Sequence, residues 1–452
     1  MSRLVIQRLR PHLNRRDILR RIFWSAGAAA SVSVLTACNE DSLPMASATP
    51  TPAPVPVPPT PSPAPSPMPA PSPVPGPITS PFADMGELLA PDANGIRLPA
   101  GFSSKVVAVS GEMVPGSSYV WHIAPDGAAT FELADGGWVY ACNSETTPGG
   151  VGAIRFDKDG AIKDAYRILD GTRNNCAGGK TPWGTWMSCE ESTPSGQVFE
   201  CNPLGTAADA VVRPLLGAFA HEAVAVDPIH KALYLTEDSP QGRFYRFRPT
   251  AADWPMTANR PALAAGTLEA LTITGNPVPT SPQPVTWLPV AMPSLPAAPQ
   301  VAGATAFNGG EGCWYHEGII YFSTKGDNRI WAFDTDAETI EILYSATSPA
   351  GGIITGVDNV VVSEFGDVLV AEDGGDLQVC VILPDRSVKP LLQVVGQDAS
   401  EVTGPCFSPD GKRLYFSSQR GSRNGAGTGI TYEITLPRSA CPTTFCPPAV
   451  VS

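Results

Sequence analysis

Carboxylate residues recur in this chain at two kinds of position, and each kind returns at similar spacing. One set follows short β-rich runs and comprises Glu145, Glu190, Glu191, Glu237, Asp238, Glu372 and Asp373. A second set opens other β-rich runs and comprises Glu222, Glu311 and Asp358. Carboxylates that lie together repel one another and lose solvation, so they need a bound cation to remain ionised. Because Ca²⁺ takes roughly six to eight oxygen ligands, the two sets predict a shared calcium site if the fold brings them together.

A thiol adds a second kind of ligand to this predicted site. Cys189 stands directly before Glu190 and Glu191, and thiolates favour transition metals, so we expect such a metal beside Ca²⁺. A histidine-rich zinc site is not expected, since residues 39–452 contain only His122, His221, His230 and His316. For any single acid, the alternative role is to cap a turn or to pair with an arginine at the rim of the fold.

The elements that position these residues follow from an internal repeat. Six β-rich runs align at Tyr140, Trp186, Tyr234, Tyr321, Leu369 and Tyr415, with intervals of 46, 48, 87, 48 and 46 residues. All-β units with a period in the forties are typical of four-stranded propeller blades. We therefore predict an all-β fold, a six-bladed β-propeller over residues 82–440, in which equivalent strands meet on one axis. The long interval holds one blade plus a Pro-rich inter-blade insertion at about 250–303.

Two segments complete the predicted fold. Residues 102–109 are apolar and β-branched, and we expect them to supply the outer strand that the last blade otherwise lacks. The insertion is rich in proline, and no charged residue occurs from 270 to 310. We expect it to form a long loop that covers one face of the domain.

The ten cysteines suggest disulfides, which form in proteins outside the cytoplasm. Cys176 and Cys201 flank the second predicted blade and are candidates for a bridge across it. Cys441 and Cys446 are candidates for closing a small loop in a C-terminal tail that spans residues 441–452.

The N-terminal region carries the marks of an exported protein. Residues 14–20 (NRRDILR) resemble the twin-arginine export motif, and residues 35–38 (LTAC) resemble a lipobox that ends in Cys38. The alternative for Cys38 is an ordinary thiol near a cleavage site. Residues 39–81 predict an extended spacer, because 17 of the 38 residues from 44 to 81 are proline. We therefore expect a protein of the periplasm or outer surface, held to the membrane only by lipid at Cys38.

Charge limits the partners that this protein can have. Residues 1–37 hold seven of the 30 basic residues and one of the 43 acidic residues, which leaves 23 basic and 42 acidic residues and a formal charge of −19 in the remainder. This charge opposes nucleic-acid binding, which needs a basic face, and suits binding of multivalent cations. We expect a monomer.

Several segments resemble the PhoX family of bacterial alkaline phosphatases. They are TPWGTWMSCEE (181–191), GAFAHE (217–222), YLTEDS (234–239), GRFYRF (242–247), EG (311–312), VDNV (357–360), VAEDG (370–374) and FSSQ (416–419). The resemblance spans most of residues 95–436. It implies a six-bladed propeller, exported by the twin-arginine route, that hydrolyses phosphomonoesters at a cluster of iron (Fe³⁺) and calcium (Ca²⁺) ions.

The resemblance also implies individual roles. Cys189 would be the cysteine ligand to iron. The ligand glutamates would be Glu145, Glu190 or Glu191, Glu222, Glu311 and Glu372, with Glu237 and Asp358 as further candidates.

One departure from the family pattern concerns substrate. The family has an Arg-Pro-Glu-Gly segment where this chain has Gly309-Gly310-Glu311-Gly312, so the arginine expected to contact phosphate is missing. Lys325 and Arg420 are the remaining cations that we expect to hold phosphate, and Asn143 is a candidate hydrogen-bond donor to a phosphoryl oxygen. The alternative for Lys325 is a charged turn, and for Arg420 a solvated loop.

Two other functions remain open on the sequence. One is a calcium-dependent lactonase or esterase, which needs no thiolate ligand and is therefore disfavoured by Cys189. The other is a non-catalytic propeller that calcium stabilises while one face binds a partner, and Gly309 keeps that alternative open. Iron together with calcium would favour the phosphatase, whereas calcium alone would favour the other two.

Overall fold

A computed structural model of the protein describes residues 80–347, 352–422 and 429–437. The predicted export signal, Cys38, the Pro-rich linker and the C-terminal tail with Cys441 and Cys446 lie outside the described residues. Within the described part, no helix has the length and apolar character that crossing a bilayer requires.

The described residues form an all-β structure of 26 strands. In chain order the strands are β1 (Ile96–Arg97), β2 (Ser103–Val109), β3 (Pro125–Glu132), β4 (Trp138–Ser144), β5 (Gly149–Phe156), β6 (Ile162–Thr172), β7 (Asn175–Lys180), β8 (Trp186–Glu190), β9 (Val198–Cys201), β10 (Val211–Val212), β11 (His221–Asp227), β12 (Ala232–Glu237), β13 (Phe244–Pro249), β14 (Gly266–Ile273), β15 (Gln283–Pro289), β16 (Gly310–His316), β17 (Ile319–Thr324), β18 (Arg329–Asp334), β19 (Thr339–Ser345), β20 (Val357–Val362), β21 (Val368–Glu372), β22 (Gln378–Ile382), β23 (Val388–Val394), β24 (Val402–Phe407), β25 (Arg413–Ser418) and β26 (Ile430–Thr435). The helical segments described are short 3₁₀ turns at Ala207–Asp209, Pro214–Leu216, Ala298–Val301 and Lys325–Asp327. The all-β prediction is confirmed.

The strands form five antiparallel sheets arranged like a propeller. Four sheets have four or five strands, in the orders β3-β4-β5-β6, β10-β9-β8-β7, β1-β23-β22-β21-β20 and β2-β26-β25-β24. The fifth has nine strands in the order β11-β12-β13-β14-β15-β19-β18-β17-β16. The sheets therefore bear out a propeller-like all-β fold but do not separate into six blades. The cause is β15, which pairs with β14 on one side and with β19 on the other and joins two four-stranded units.

The predicted long loop at 250–303 also needs correction. It contains β14, which pairs with β13, and β15, which bridges to β19, so much of the insertion is sheet. Apolar residues of β14, such as Leu268 and Leu271, are fully buried, which explains why a proline-rich region forms strands here.

Closure of the last sheet follows the prediction. Strand β2 supplies its outer strand by pairing antiparallel with β26, which ties residues near both ends of the domain together. The predicted bridge between Cys176 and Cys201 is wrong, since both are buried free thiols.

The hydrophobic core lies between neighbouring sheet units. One example is an aromatic cluster in which Phe244 stacks on Phe322 at 4.2 Å and Phe322 stacks on Trp331 at 5.9 Å between ring centroids. These rings come from β13, β17 and β18, so they hold together the two units of the nine-stranded sheet.

Six strands of the described structure converge at the centre. These are β3, β7, β11, β16, β20 and β24, and each contacts the next so that the series closes on itself. Their close approach depends on glycine. A Cβ at Gly179 would lie 1.7 Å from the Val224 carbonyl oxygen, and one at Gly312 would lie 2.4 Å from the Val360 nitrogen. Residues of all six strands line a cavity of about 30 Å³, which has room for roughly two waters and not for a phosphoester.

Candidate metal centre

The six central strands start in the same register. In each, the first residue pairs with the last residue of the following strand: Pro125 with Ser144, Asn175 with Glu190, His221 with Glu237, Gly310 with Thr324, Val357 with Glu372, and Val402 with Ser418. A β-bulge follows in every pair before regular pairing resumes. Bulges redirect side chains, so this irregularity repeats one side-chain orientation around the centre.

Two sets of equivalent residues arise from this register. The second residues of the central strands, called the bulge positions here, are Asp126, Cys176, Glu222, Glu311, Asp358 and Thr403. The first five lie within the bulge, whereas Thr403 pairs with Ser417 directly before it. The strand-end positions directly follow the second strands: Glu145, Glu191, Asp238, Lys325, Asp373 and Gln419.

These positions bring most of their acids together in one cluster, which Glu401 joins from the residue before β24. Four overlapping groups have potential ligand atoms within 4.8 Å of one another: Asp126, Glu145 and Cys176; Cys176, Glu191 and Glu222; Glu222, Glu311 and Asp358; and Asp358, Asp373 and Glu401. Because each group shares a member with the next, the cluster is continuous. Oxygen and thiol donors at this spacing are able to hold several cations.

Some of these carboxylates have side-chain oxygens without a hydrogen-bond partner in the protein. Both side-chain oxygens of Glu222 lack a hydrogen-bond partner although the residue is fully buried, and Asp126 Oδ1 is in the same state. Burial, reinforced by the charges of Glu311 and Asp358, raises the pKa of Glu222 well above its ordinary value. Burial likewise raises the pKa of Glu191 to about 8, with Asp238 and Glu145 adding to the effect. A bound cation would satisfy these oxygens and keep the carboxyls ionised.

Two basic residues neutralise another part of the cluster. Lys325 Nζ lies 3.3 Å from Glu311 Oε1, 3.3 Å from Asp358 Oδ2 and 3.2 Å from Asp373 Oδ2. Arg420 lies 2.7 Å from Glu401 Oε1 and 3.7 Å from Asp373 Oδ1. Both predicted cations are therefore at the cluster, already engaged with acids.

The glutamates that end second strands have a different role from the one predicted. Glu237 accepts hydrogen bonds from the Arg243 amide at 2.9 Å and from the Tyr245 hydroxyl at 2.8 Å. Glu190 accepts from the amides of Arg173 and Gln197, and Glu372 accepts from those of Thr355 and Gln378. Each of these side chains accepts a hydrogen bond at the start of the next strand. None of them belongs to the four groups of potential metal ligands.

Removal of the hydrogen bonds that Glu237 accepts should lower the free energy of unfolding without loss of metal. We expect Glu237→Ala to leave the Arg243 amide and the Tyr245 hydroxyl without an acceptor, at about 1–3 kcal/mol of unfolding free energy. Denaturant unfolding measures the change, and metal content should equal that of the unaltered protein. A variant that unfolds normally yet has lost metal would contradict the structural role.

The comparisons with known proteins agree with this geometry. The model of the family described as alkaline phosphatase PhoX matches residues 146–342 and 329–421, together more than half of the chain. The chain belongs to the PhoX alkaline phosphatase family. It is therefore classed with the phosphatases. A comparison with curated protein sequences gave no match.

Among solved structures, PhoX of Pseudomonas fluorescens in complex with vanadate, a transition state analogue, is 17% identical, with a TM-score of 0.63, and the match covers 78% of this chain and 98% of that one. A gluconolactonase of Xanthomonas campestris is 15% identical, with a TM-score of 0.44 and coverage of 78% and 98%. Regucalcin, a calcium-binding protein of Agrobacterium tumefaciens, is 16% identical, with a TM-score of 0.39 and coverage of 69% and 89%. At these identities the likeness concerns the fold.

The thiol at the centre of this PhoX family member is not the one predicted. Cys189 is fully buried among apolar residues such as Met187 and Val198, and it belongs to none of the four groups. Cys176 takes its place, because it belongs to two groups and shares one of them with Glu222. A signal existed in the sequence: Cys176 precedes Glu222 by 46 residues, one repeat length, and so stands in the same register.

Asn143 also differs from its predicted role. It is fully buried, and its Nδ2 donates to the carbonyls of Cys176 and Ala177 at 2.9 and 2.6 Å. Its Oδ1 accepts from Trp186 and Ser188, both at 2.9 Å. Asn143 is therefore occupied in positioning the backbone at Cys176 and has no hydrogen-bonding atom left for a phosphoryl oxygen.

Gly309 borders the cluster, as its place in the family motif implied. A Cβ at this residue would lie 3.2 Å from Asp238 Oδ1 and 3.7 Å from Glu311 Oε1. Its φ of +69° is a conformation that glycine adopts readily and other residues rarely do. The backbone at this position thus suits glycine, and an arginine here would require a different local conformation.

Two further acids of the cluster were missed. Asp126 precedes Gly127, and Asp-Gly pairs usually mark turns. Glu401 lies at neither of the two kinds of position at which acids recur. Asp126 was identifiable because it precedes Cys176 by 50 residues, close to the repeat length. Gln419 links two acids of this side, since its Nε2 donates to Asp126 Oδ2 and Glu145 Oε2, each at 2.6 Å.

Proposed function

We propose that this protein is an exported, metal-dependent phosphatase that hydrolyses phosphomonoesters at iron and calcium ions held by the acid cluster. The observation that carries the proposal is Glu222, a buried carboxylate with two unpartnered oxygens beside the Cys176 thiol and Glu191. Family membership supports the reaction class.

The donor set suits the two metals. Hard carboxylate oxygens, such as those of Glu145 and Asp126, match Ca²⁺, and the softer Cys176 sulfur suits iron. When bound, such cations polarise phosphoryl oxygens and provide a nucleophilic hydroxide at moderate pH. The thiol in the cluster disfavours the calcium-dependent lactonase, which needs oxygen ligands alone.

Substrate binding needs the metals and one basic side chain of the protein. An acid cluster without cations would repel a phosphate dianion, so the metals must be present before the substrate binds. Arg420 is the more exposed of the two clustered cations, with 46% of its side chain accessible against 34% for Lys325. Its Nε and Nη1 donate to the Ala399 carbonyl, Glu401 and Gln419, which fixes the plane of the guanidinium. Its Nη2 lies 3.7 Å from Asp373 Oδ1, beyond hydrogen-bond distance, and is therefore the nitrogen left to donate to a phosphoryl oxygen. We assign phosphate binding to Arg420.

The remaining features belong to the same proposal. We interpret the nine-stranded sheet as two blades joined by β15, which makes the domain a six-bladed propeller with the site at one end of its axis. Export by the twin-arginine route and lipid attachment at Cys38 would place the enzyme in the periplasm or on the outer surface. We propose that it acts there as a monomer.

Arg420 supplies the mutational test of substrate binding. We expect Arg420→Ala to lower kcat/KM for p-nitrophenyl phosphate by about 10²-fold, because a charge-assisted contact to the transition state is lost. Arg155→Ala is the matched control, since Arg155 is similarly exposed at 43% and pairs with Asp135 at 2.9 Å on another sheet. Activity of Arg420→Ala within twofold of the control would overturn this assignment.

A further inference from the structure

The acid cluster divides into two parts that differ in how their charge is neutralised. In one part, Glu311, Asp358 and Asp373 contact Lys325, and Glu401 contacts Arg420. In the other part, no ion pair with lysine or arginine is described for the cluster members. That second part comprises Asp126, Glu145, Cys176, Glu191 and Glu222, with Asp238 beside Glu191. Of the buried oxygens in the cluster that lack a hydrogen-bond partner, both of Glu222 and Oδ1 of Asp126 lie in this second part. The other is Glu311 Oε1 in the first part, where the Lys325 ammonium lies 3.3 Å away.

Lys325 is held at the centre of the first part. Its ammonium lies 3.2–3.3 Å from carboxylate oxygens of three separate residues, Glu311 at a bulge position, Asp358 at the next bulge position and Asp373 at a strand-end position. Its amide donates to the Gly309 carbonyl at 2.8 Å, which fixes the turn that carries it. Three oxygens around one nitrogen match the three N–H donors of an ammonium group.

Two of the three acids around Lys325, Asp358 and Asp373, have both side-chain oxygens engaged. Asp358 uses Oδ2 for Lys325 and accepts a hydrogen bond from Asn359 at Oδ1, 3.0 Å away. Asp373 uses Oδ2 for Lys325 and faces Arg420 with Oδ1. A divalent ion would have to displace Lys325, Asn359 or Arg420 to take these oxygens.

Lys325 occupies a strand-end position at which the other units mostly carry an acid. The equivalent strand-end positions hold Glu145, Glu191, Asp238 and Asp373, with Gln419 as the neutral member. Replacing an acid by lysine changes the local charge by two units, which is the charge of one divalent cation.

We propose that the Lys325 ammonium occupies one cation position of the cluster in place of a divalent metal ion, which confines the bound metals to the part built around Glu222, Cys176 and Glu191. This inference rests on the metal binding in the proposed function. It also separates the two predicted phosphate-binding cations: Arg420 faces substrate, whereas Lys325 neutralises the site.

Calcium stoichiometry tests the inference independently of turnover. Full-length Lys325→Gln, the unaltered protein and the control Lys158→Gln are stripped with chelator and then equilibrated with CaCl₂ alone. Lys158 is the matched control because it is exposed and pairs only with its neighbour Asp159 at 2.7 Å. We expect Lys325→Gln to bind one more calcium per chain than either reference and to show a larger rise in Tm on calcium addition.

The outcomes separate failure of this inference from failure of the proposed function. Equal calcium stoichiometry in Lys325→Gln and the unaltered protein, with calcium bound to both, would overturn the inference alone. No calcium in either protein would overturn both proposals.

A second pair of variants keeps the test valid if Lys325→Gln does not fold. With Lys325 in place, Asp373→Asn should leave calcium content unchanged, whereas Glu191→Gln should lower it. Loss of one calcium from Asp373→Asn would show that a metal shares the lysine's oxygens, and would overturn the inference.

Discussion

Glu222→Gln should abolish tight metal binding and most phosphatase activity while leaving the metal-free fold intact. The amide has nearly the shape of the carboxylate but no charge, and Glu222 contributes two oxygens that nothing else in the protein satisfies. We expect kcat for p-nitrophenyl phosphate to fall on the order of 10²- to 10³-fold, the range for losing a group that stabilises transition-state charge. Elemental analysis and steady-state kinetics on the same preparation measure both effects.

Stability gives this variant a second readout. Burial and neighbouring charges raise the pKa of Glu222, so the metal-free protein must hold this carboxyl protonated or bear an unpaired charge. Chelated Glu222→Gln should therefore be at least as stable as the chelated unaltered protein, while calcium should raise its Tm less.

The isosteric control for Glu222→Gln is Glu190→Gln. Glu190 accepts hydrogen bonds from the amides of Arg173 and Gln197 and lies in none of the four ligand groups. Glu190→Gln should therefore keep its metal. Full metal content and turnover in Glu222→Gln would contradict the position of the centre.

The two central cysteines should give opposite results. Cys176→Ser should lose iron and activity with little change in unfolding free energy, because the thiol lies in the cluster and serves no apolar packing there. Cys189→Ser should keep iron but lose about 1–3 kcal/mol of stability, because it places a hydroxyl among buried apolar side chains. Iron content and denaturant unfolding of both variants form one experiment. Iron retained in Cys176→Ser and lost in Cys189→Ser would restore the ligand first predicted from the sequence.

The repeat was readable in the sequence because most units bury a large apolar residue at the same strand position. Tyr140, Trp186, Tyr234, Leu369 and Tyr415 are buried at that position, and Tyr321 is half-buried. The predicted closure by β2 follows from the same logic, since a sheet that lacks an outer strand must recruit one. The repeat does not predict β15. The pairing of this strand with β19 depends on where the long insertion returns to the edge of the neighbouring sheet.

The site was predicted to the right repeat position but not always to the right residue. In the pairs Glu190-Glu191, Glu237-Asp238 and Glu372-Asp373, the first acid accepts hydrogen bonds from backbone amides. The second acid occupies the strand-end position. Neighbouring residues on a strand face opposite sides, so a shift of one residue exchanges the two roles. The sequence shows both acids but not the register that separates them.

The predicted thiol ligand was wrong for a related reason. Cys189 is a candidate because two acids follow it in the sequence, yet neighbours in sequence are not neighbours in the site. Cys176 is a candidate for a disulfide because it flanks a unit in the sequence, although its interval to Glu222 of one repeat length places it among the bulge positions. The bulges themselves, which aim Glu222, Glu311 and Asp358 at the centre, have no simple sequence signature.

Elemental analysis of the full-length protein, purified after export through its own signal, tests the central claim most directly. We predict iron and calcium bound together in stoichiometric amounts. A protein that carries neither metal would contradict the account, because the buried carboxylates of Glu222 and Asp126 would then have no counter-charge to explain them.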